Sequence, residues 1–440
     1  MRGLSRVLVL ATLAAGILAF PLTAAAGHDD DPRTPNMHPL GHIEEPASLF
    51  GPNPDIHTDI AFWGKLAIQG NWDGFNIRNI AAPGNPKQIS RTHCDGNQGD
   101  VVVWEDIVIR SWNTAAGTPG PFGAGLTCDG QPVPAGFEGV HIFDISDLGN
   151  PELIGSVETV CGSHTATLVP DLANDRLILY SNVSAGCNWI DIIEVPLDDP
   201  GSATLIGMEP LEHPCHDMGV IMGDVMMAAC AGGDGFDVFS LGGAGGGSLE
   251  DPEHLYHVME PGVTIGHSAG FTWDGEVIVF GHEPAGGVAA ECEANDPDFE
   301  HTYFFYDSAT GDKVGEWTLP RKQSALENCT LHNFNVVPLR SGRYVLVHGS
   351  YQSGTSVVDF TDPANAVELG WSDPPPLPKP PTSPFCCEVG GAWSSYWYNN
   401  FIYETNITEG LNIFRFSGSQ TGGAVMQGHS NPQTQEFTIG

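Results

Sequence analysis

Histidines recur at the start of short apolar stretches in this chain of 440 residues. Four such stretches, HTATLVPD, HDMGVIMG, HSAGFTWDG and HNFNVVPL, begin at His164, His216, His267 and His332. The stretch HTDIAFWG begins at His57, and DVVVWED begins at Asp100. Neutral imidazoles that converge with a carboxylate form a site for a borderline divalent cation such as zinc or copper. We therefore expect a metal site with these candidate ligands: His57, Asp100, His164, His216, His267 and His332.

Two carboxylates close to these histidines are candidates for a further role. Glu283 follows the apolar run in VIVFGHEP, and Asp217 follows His216 directly. Either residue is a candidate for a catalytic general base, or for a hydrogen-bond acceptor that orients an imidazole. The alternative that they cap a strand or face water stays open. Without a metal, the histidines would be expected to bind an anion or to transfer protons.

A repeated phrase along the chain determines where these residues lie. It reads GVHIFDISDLGNPELIGSVET from Gly139 and GFNIRNIAAPGNPKQISRT from Gly74, with looser copies later. The strand-like runs are short and end in Gly, Pro, Asn or Asp, and no segment has a sustained helical period, which indicates an all-β protein. Seven units, the last starting near Trp393, predict a seven-bladed β-propeller. The first strand of each blade lines the central channel, so equivalent residues should converge there.

The last copy of the phrase, GLNIFRFSGS, ends before a fourth strand. The segment HPLGHIEEP, which begins at His38, is similar to the fourth-strand phrase PELIGSVET. We therefore expect an N-terminal strand to complete the last blade and close the ring, which removes open sheet edges. The predicted organisation is a flexible acidic leader at 27–37, a single propeller at 38–418 and a polar C-terminal tail at 419–440.

The phrases VHIFDIS, FNIRNIA, VVDFTDP and NIFRFSG resemble the third-strand repeat of the LVIVD family of secreted bacterial β-propellers. The resemblance covers most of the mature chain. It implies an exported propeller from a family whose members mostly lack an assigned reaction. It therefore bears on the fold, and the chemistry has to come from the inner strands.

The N-terminus has the features of a secretory signal. Two arginines, Arg2 and Arg6, precede an apolar run from Val7 to Leu22 and a small-residue cleavage site that ends at Ala26. We expect residues 1–26 to be removed on secretion, because the run is too short for a membrane span. The chain has 16 Lys and Arg against 54 Asp and Glu, a formal net charge of -38, which argues against a nucleic-acid partner.

The 10 cysteines of an exported chain favour disulfides over thiol chemistry. Their positions around the inner strands favour three pairs: Cys94 with Cys128, Cys161 with Cys187, and Cys215 with Cys230. Cys292 with Cys329 is the pair that then remains. The adjacent Cys386 and Cys387 either bridge each other or pair elsewhere. There is no CxxC pair, which argues against zinc held by cysteine.

Two classes of function follow from these patterns. The first is a secreted, monomeric propeller that binds a divalent metal or small ligand in a histidine-lined funnel. Binding of a partner on the extracellular surface is a further alternative within this class. The second is a metal-dependent extracellular enzyme that uses copper or zinc, of the oxidoreductase class. The histidine positions support both classes, because both need the same convergence of ligands.

Overall fold

The computed structural model describes residues 28–51, 54–183 and 186–440. The predicted signal peptide at 1–26 lies outside the described residues. Within the described part, the chain is made of short β-strands joined by loops and short 3-10 helices. None of the described helices has the length and apolar character that crossing a bilayer requires.

The strands are numbered along the chain. Those up to residue 182 are β1 (Met37–Glu44), β2 (His57–Trp63), β3 (Leu66–Asn71), β4 (Gly74–Asn79), β5 (Lys87–Gly96), β6 (Gln98–Trp104), β7 (Ile107–Trp112), β8 (Ala124–Cys128), β9 (Gln131–Pro132), β10 (Gly139–Asp144), β11 (Glu152–Glu158), β12 (Thr165–Asp171) and β13 (Arg176–Asn182). Those up to residue 318 are β14 (Trp189–Pro196), β15 (Thr204–Pro210), β16 (Asp217–Ile221), β17 (Met227–Gly232), β18 (Gly235–Ser240), β19 (Glu253–Met259), β20 (Gly266–Phe271), β21 (Val277–His282), β22 (Thr302–Asp307) and β23 (Lys313–Thr318).

The remaining strands are β24 (Phe334–Val336), β25 (Val345–Gly349), β26 (Thr355–Asp359), β27 (Val367–Ser372), β28 (Ala392–Tyr398), β29 (Phe401–Asn406), β30 (Gly410–Phe416), β31 (His429–Ser430) and β32 (Thr434–Gln435). The 3-10 helices span His28–Asp30, Leu172–Asn174, Pro200–Ser202, Gly243–Gly245, Pro284–Gly287, Asp298–His301, Pro363–Asn365 and Ser419–Thr421.

The strands of the described ranges pair into seven sheets. In chain order, the four main strands of each sheet are β2 to β5, then β6, β7, β10 and β11, then β12 to β15, β16 to β19, β20 to β23, β24 to β27, and finally β28 to β30 with β1. We number the sheets one to seven in this order. The innermost strands β2, β6, β12, β16, β20, β24 and β28 contact one another in cyclic order. The all-β propeller prediction is therefore confirmed.

The core lies in layers between neighbouring sheets. Between sheets two and three, for example, Val102, Ile109 and Ile142 pack with Leu168 and Leu179. The inner and middle strands are buried on both faces, so they read as nearly continuous apolar runs. An outer strand such as β15 alternates between exposed and half-buried residues, because only one of its faces packs. Stacked layers of this kind fix the inner strand starts around the channel.

The N-terminal strand β1 pairs with β30 of sheet seven. The pairing is antiparallel and runs from Met37 opposite Phe416 to Glu44 opposite Gly410. The segment before β1, expected as a flexible leader, also makes contacts. His28 is 3% exposed, and its ring lies 5.6 Å from that of Phe414. These contacts follow from Arg33 Nη1, which donates hydrogen bonds to two backbone carbonyls of the segment and holds it folded.

The polar C-terminal segment crosses one end of the central channel. Residues 429–439, here called the floor segment, contribute β31 against β2 and β32, parallel, against β16. Their side chains bond the backbone of the inner strands: Asn431 with Val103, Thr434 with Leu168, and Gln435 with Phe271. Inner strand edges carry backbone groups that need partners. The amide and hydroxyl side chains of the tail supply those partners.

The cysteine predictions can be compared directly with the structure. The four pairs expected from the repeats are confirmed: Cys94–Cys128, Cys161–Cys187, Cys215–Cys230 and Cys292–Cys329. Of the two alternatives for Cys386 and Cys387, the structure has the bridge between adjacent residues. All of the cysteines lie in the described ranges, and none is free.

Candidate metal centre in the central channel

Four of the predicted histidines form an arc at the channel. His267 lies in β20. His164 and His216 immediately precede β12 and β16, and His332 lies two residues before β24. Successive rings along this arc have centroids 4.3 Å apart, from His164 to His216, to His267 and to His332. All four side chains are buried. Equivalent positions in four consecutive sheets therefore bring these imidazoles into contact.

The arc is completed by Glu283, which follows the end of β21. Its Oε1 lies 3.4 Å from His332 Nε2, and its Oε2 lies 3.9 Å from His267 Nε2. His216, His267 and Glu283 each offer one ligand atom, and these three atoms all lie within 4.8 Å of one another. We call the four histidines and Glu283 the funnel cluster. Two imidazoles and one carboxylate are a donor set that suits zinc and other borderline metals.

Electrostatics keep these groups in the protonation states that a metal requires. Burial lowers the pKa of His216 to about 4, although the charge of Glu283 opposes this shift. Burial, together with neighbouring imidazoles, lowers the pKa of His164 and of His267 well below the usual value. At neutral pH these rings are neutral, and a neutral imidazole is the form that binds a metal.

The carboxyl of Glu283 is held in its charged form. Burial alone would favour the protonated acid. Interactions with His332 and His216 and the hydrogen bond from Tyr351 outweigh burial and lower the pKa of Glu283. The Tyr351 hydroxyl donates to Glu283 Oε1 from the turn after β25, where its φ of 50° lies in the left-handed region. Tyr351 thus positions the carboxylate from the side of sheet six.

Hydrogen bonds distinguish the four rings. His332 Nδ1 donates to the carbonyl of Trp393 at 2.5 Å, which leaves Nε2 facing Glu283. The amide nitrogen of Gln98 lies 2.9 Å from His164 Nε2 and donates to it. By contrast, Nδ1 of His216 and Nδ1 of His267 are buried without a hydrogen-bond partner among the described residues. Buried polar atoms of this kind cost stability unless a ligand satisfies them.

A pocket of about 300 Å³ lies directly against the funnel cluster. Its apolar wall includes Trp72, Phe122, Ile265, Val288 and Trp393. An aromatic group surrounds Phe122, whose ring lies 5.7 Å from Trp72 and 6.2 Å from Phe385. An apolar pocket with a few convergent polar groups is the usual form of a small-molecule site. The cluster therefore has room for a small molecule beside it.

A second polar layer lies next to the histidines in the channel. Asp59, Asp100 and Asp217 are buried, and each Oδ1 accepts a hydrogen bond from the backbone N–H of the next residue, at 2.8, 2.9 and 2.8 Å. Burial, with repulsion from Asp59, raises the pKa of Asp217 to about 7. Burial also raises the pKa of Asp59 and, with the charge of Asp59, that of Asp100. These carboxyls bind backbone donors rather than the funnel cluster.

Two of the expected metal ligands do not reach the funnel cluster. Asp100 Oδ2 accepts a hydrogen bond from the Ala166 N–H at 2.7 Å, so backbone donors occupy both of its oxygens. His57 Nε2 instead lies 2.8 Å from the carbonyl oxygen of Glu45. A bulge between His57 and Ile60 shifts the register, so that Thr58 and Asp59 line the channel. The expectation of a ligand role for His57 and Asp100 is corrected accordingly.

Two residues of the site, Gln98 and Tyr351, were not predicted. Gln98 stands two residues before Asp100, as His57 stands two before Asp59. That spacing aligns both aspartates with Asp217 but gives Gln98 the register of His57, which lies outside the funnel cluster, so the sequence carries no signal that places Gln98 beside the histidines. Tyr351 carries no comparable signal, because its contact with Glu283 depends on how the turns of sheets five and six meet.

Comparisons with known proteins bear on the fold. Neither a protein-family model nor a curated protein matches the sequence. Among solved structures, a chain from a structure titled "Crystal Structure of Mitotic Checkpoint Complex" matches with a TM-score of 0.50 and 11% identity, covering 91% of this chain and 100% of that chain. At that identity the likeness shows the fold alone, and the LVIVD resemblance stays a prediction. The comparison and the sheet order together make this chain a β-propeller protein.

Proposed function

We propose that this protein binds one divalent transition metal ion, zinc or copper, in its central channel through His216, His267 and Glu283. The observation that carries the proposal is the meeting of three buried ligand atoms within 4.8 Å of one another. Two neutral imidazoles and one ionised carboxylate leave further coordination positions for water or a ligand. His332 Nε2 contacts the same carboxylate and helps to hold it in place.

We further propose that the protein is a secreted member of the LVIVD-type propellers, with seven blades and with β1 closing the ring. The pairing of β1 with β30 and the cyclic contacts of the innermost strands support this count and closure. The disulfides are in keeping with an oxidising, extracellular location.

A second candidate function is a metal-dependent oxidoreductase. The pocket of about 300 Å³ against the funnel cluster favours it, because a reacting molecule would fit there. A bound copper would supply electron transfer, and a bound zinc would supply Lewis acidity. The apolar wall would exclude water, and Glu283 would hold or release a proton at the same place. Asp217, the other candidate base, lines the channel where backbone N–H groups already bond it.

The first prediction tests the metal site by substitution. A variant with His216→Ala and His267→Ala should hold one equivalent of zinc or copper fewer than the unchanged protein, because two of the three proposed ligands are gone. Elemental analysis after metal loading and dialysis gives the count. The control is His38→Ala, which removes an exposed histidine bonded to Ser417 and should change nothing. Equal metal content in the double variant and the unchanged protein would overturn the proposal.

The second prediction concerns pH. A proton competes with a metal only at a neutral imidazole whose pKa is near or above the pH. Because the pKa of His216 is lowered to about 4, protons do not compete until the pH falls towards that value. Zinc affinity at this site should change by less than about 2-fold between pH 7 and pH 5, whereas an ordinary histidine would lose about 30-fold by pH 5. Calorimetric titration in weakly coordinating buffers measures this, and a tenfold fall between pH 7 and pH 5 would contradict it.

A further inference from the structure

A second group of histidines and aspartates lies on sheet four, outside the channel. His213 is in the loop before β16, Asp234 immediately precedes β18, and His257 lies in β19. These residues do not share a position in the repeat, and none of them lines the pocket beside the funnel cluster. We call His213, Asp234 and His257 the sheet-four cluster.

The geometry of the sheet-four cluster is that of converging ligands. One ligand atom from each of the three residues lies within 4.8 Å of the other two. His257 Nε2 is 3.4 Å from Asp234 Oδ1, and the rings of His213 and His257 stack with centroids 3.6 Å apart. The two imidazoles and the carboxylate therefore hold nitrogen and oxygen donors close to one another.

Several of these donor atoms have no partner, although solvent does not reach them. His213 Nδ1, both ring nitrogens of His257 and Asp234 Oδ1 are buried atoms without a hydrogen bond among the described residues. A buried polar atom left unpaired costs about 1–3 kcal/mol, so most such atoms in folded proteins have a partner. His257 Nε2 and Asp234 Oδ1 lie 3.4 Å apart and face each other without a hydrogen bond. A cation bound by these two atoms and by a ring nitrogen of His213 would give them a partner.

A further carboxylate supports the cluster from behind. The Asp237 side chain is only 6% exposed, and its Oδ1 lies 3.2 Å from His257 Nδ1 while its Oδ2 lies 3.5 Å from His213 Nδ1. His254 Nε2 donates to the same carboxylate at 2.8 Å. Carboxylates that contact the far nitrogen of a metal-bound histidine fix the orientation of its ring. Asp237 is thus in place to orient the imidazole of His257 through its Nδ1.

We propose that the sheet-four cluster binds a divalent transition metal ion such as zinc, independently of the channel. Imidazole nitrogen and carboxylate oxygen are the donors that zinc takes in proteins when thiolates are absent. The ion holds the loop that carries His213 against the outer strands β18 and β19. This loop leads into Cys215, whose disulfide with Cys230 fixes its other end.

Zinc titration of a chain that lacks the channel ligands tests this proposal. The starting protein carries His216→Ala and His267→Ala, and it should still bind one equivalent of zinc. Adding His213→Ala and His257→Ala should abolish that binding, with a loss of affinity above ~100-fold, beyond the 10- to 100-fold that losing a supporting partner costs. His93→Ala is the matched control, because it removes a histidine that contacts one aspartate, Asp73, at 2.5 Å, without a second histidine.

A second measurement distinguishes loss of the metal site from loss of folding in the variants. Cobalt(II) bound to the starting protein should give visible absorption bands of a nitrogen- and oxygen-ligated ion, and zinc should raise its melting temperature. Asp234→Asn keeps the shape of the side chain and should weaken both effects. Circular dichroism checks that each variant is folded. Zinc binding that survives His213→Ala and His257→Ala in a folded chain, or no binding at all in the starting protein, would overturn the proposal and leave the channel site untouched.

Discussion

Deleting residues 429–440 is expected to lower the free energy of unfolding by about 5 kcal/mol, because several hydrogen bonds of roughly 1 kcal/mol each are lost together. The Val220 N–H donates to the Gln433 carbonyl at 2.8 Å, and the Met222 N–H donates to the Gln435 carbonyl at 2.7 Å. The Gln433 side chain donates to buried Asp59 Oδ2 at 2.7 Å. Without the floor segment, water enters the channel from that end and reaches the layer of aspartates.

Urea denaturation followed by tryptophan fluorescence measures this effect. If the shortened chain does not fold, the full-length variant with Asn431→Ala, Gln433→Ala and Gln435→Ala tests the side-chain hydrogen bonds of the floor segment to Val103, Asp59 and Phe271 and should lose at least about 3 kcal/mol. Met426→Ser is the control, because Met426 is 61% exposed in the same C-terminal region. An unchanged denaturation midpoint in the triple variant would show that the floor segment does not stabilise the ring.

Replacing Arg110 by alanine is expected to cost at least ~4 kcal/mol in the free energy of unfolding, since it leaves buried carbonyls unpaired and creates a cavity. Arg110 lies in β7 and is fully buried. Its guanidinium donates to carbonyls of sheet one, to Gly74 at 3.0 Å and to Asn71 at 2.9 Å, as well as to Gly96. Burial lowers the pKa of Arg110 to about 9, against the charges of Asp73 and Asp95. One side chain therefore joins sheets one and two.

The matched control for Arg110 is Arg343→Ala. Arg343 is half exposed, and its guanidinium contacts Asp359 at 3.1 Å. An exposed ion pair contributes about 0–1 kcal/mol, so this variant should unfold close to the unchanged protein. Thermal and urea unfolding of both variants give the comparison. If Arg110→Ala were no less stable than Arg343→Ala, the carbonyls around Arg110 would have found other partners.

The repeated phrase predicted most of the fold. The inner strands were expected to begin near His57, His216 and Trp393, and they begin within two residues of these positions. Three cysteine pairs were predicted because the cysteines bracket inner strands, and a disulfide requires such closeness; Cys292 with Cys329 was the pair that remained. The repeat predicts the strand starts correctly because apolar layers between neighbouring sheets fix the position of each inner strand. The same reasoning predicted that four histidines meet at the channel: His164, His216, His267 and His332.

The parts that were missed depend on contacts without a period. The bulge between His57 and Ile60 shifts the strand register, and a shift of one position moves a side chain to the other face of the strand. His57 is thereby turned away from the channel. Gln433 and Tyr351 reach the channel from segments outside the repeated phrase, so no alignment of repeats places them. The sheet-four cluster joins a loop to two outer strands, and its residues are separated by ordinary sequence. Such contacts depend on how the folded sheets lie against one another and cannot be predicted from the sequence pattern.

The covalent cross-links of this chain are all local. Their sequence separations are 34, 26, 15, 37 and 1 residues, so each disulfide joins segments of one sheet or of adjacent connections. Within the described ranges, the first and last sheets are joined by noncovalent contacts, among them the hydrogen bond from the Gln69 side chain to the Gly410 carbonyl at 3.0 Å, and β1 pairs with β30 inside the last sheet. The contacts between the chain ends are therefore noncovalent, whereas the disulfides cross-link segments that are close in sequence. In the closed ring that we propose, a reducing agent would loosen individual loops and leave the pairing of β1 with β30 intact, whereas mechanical pulling at the N-terminus would break that pairing with every disulfide intact.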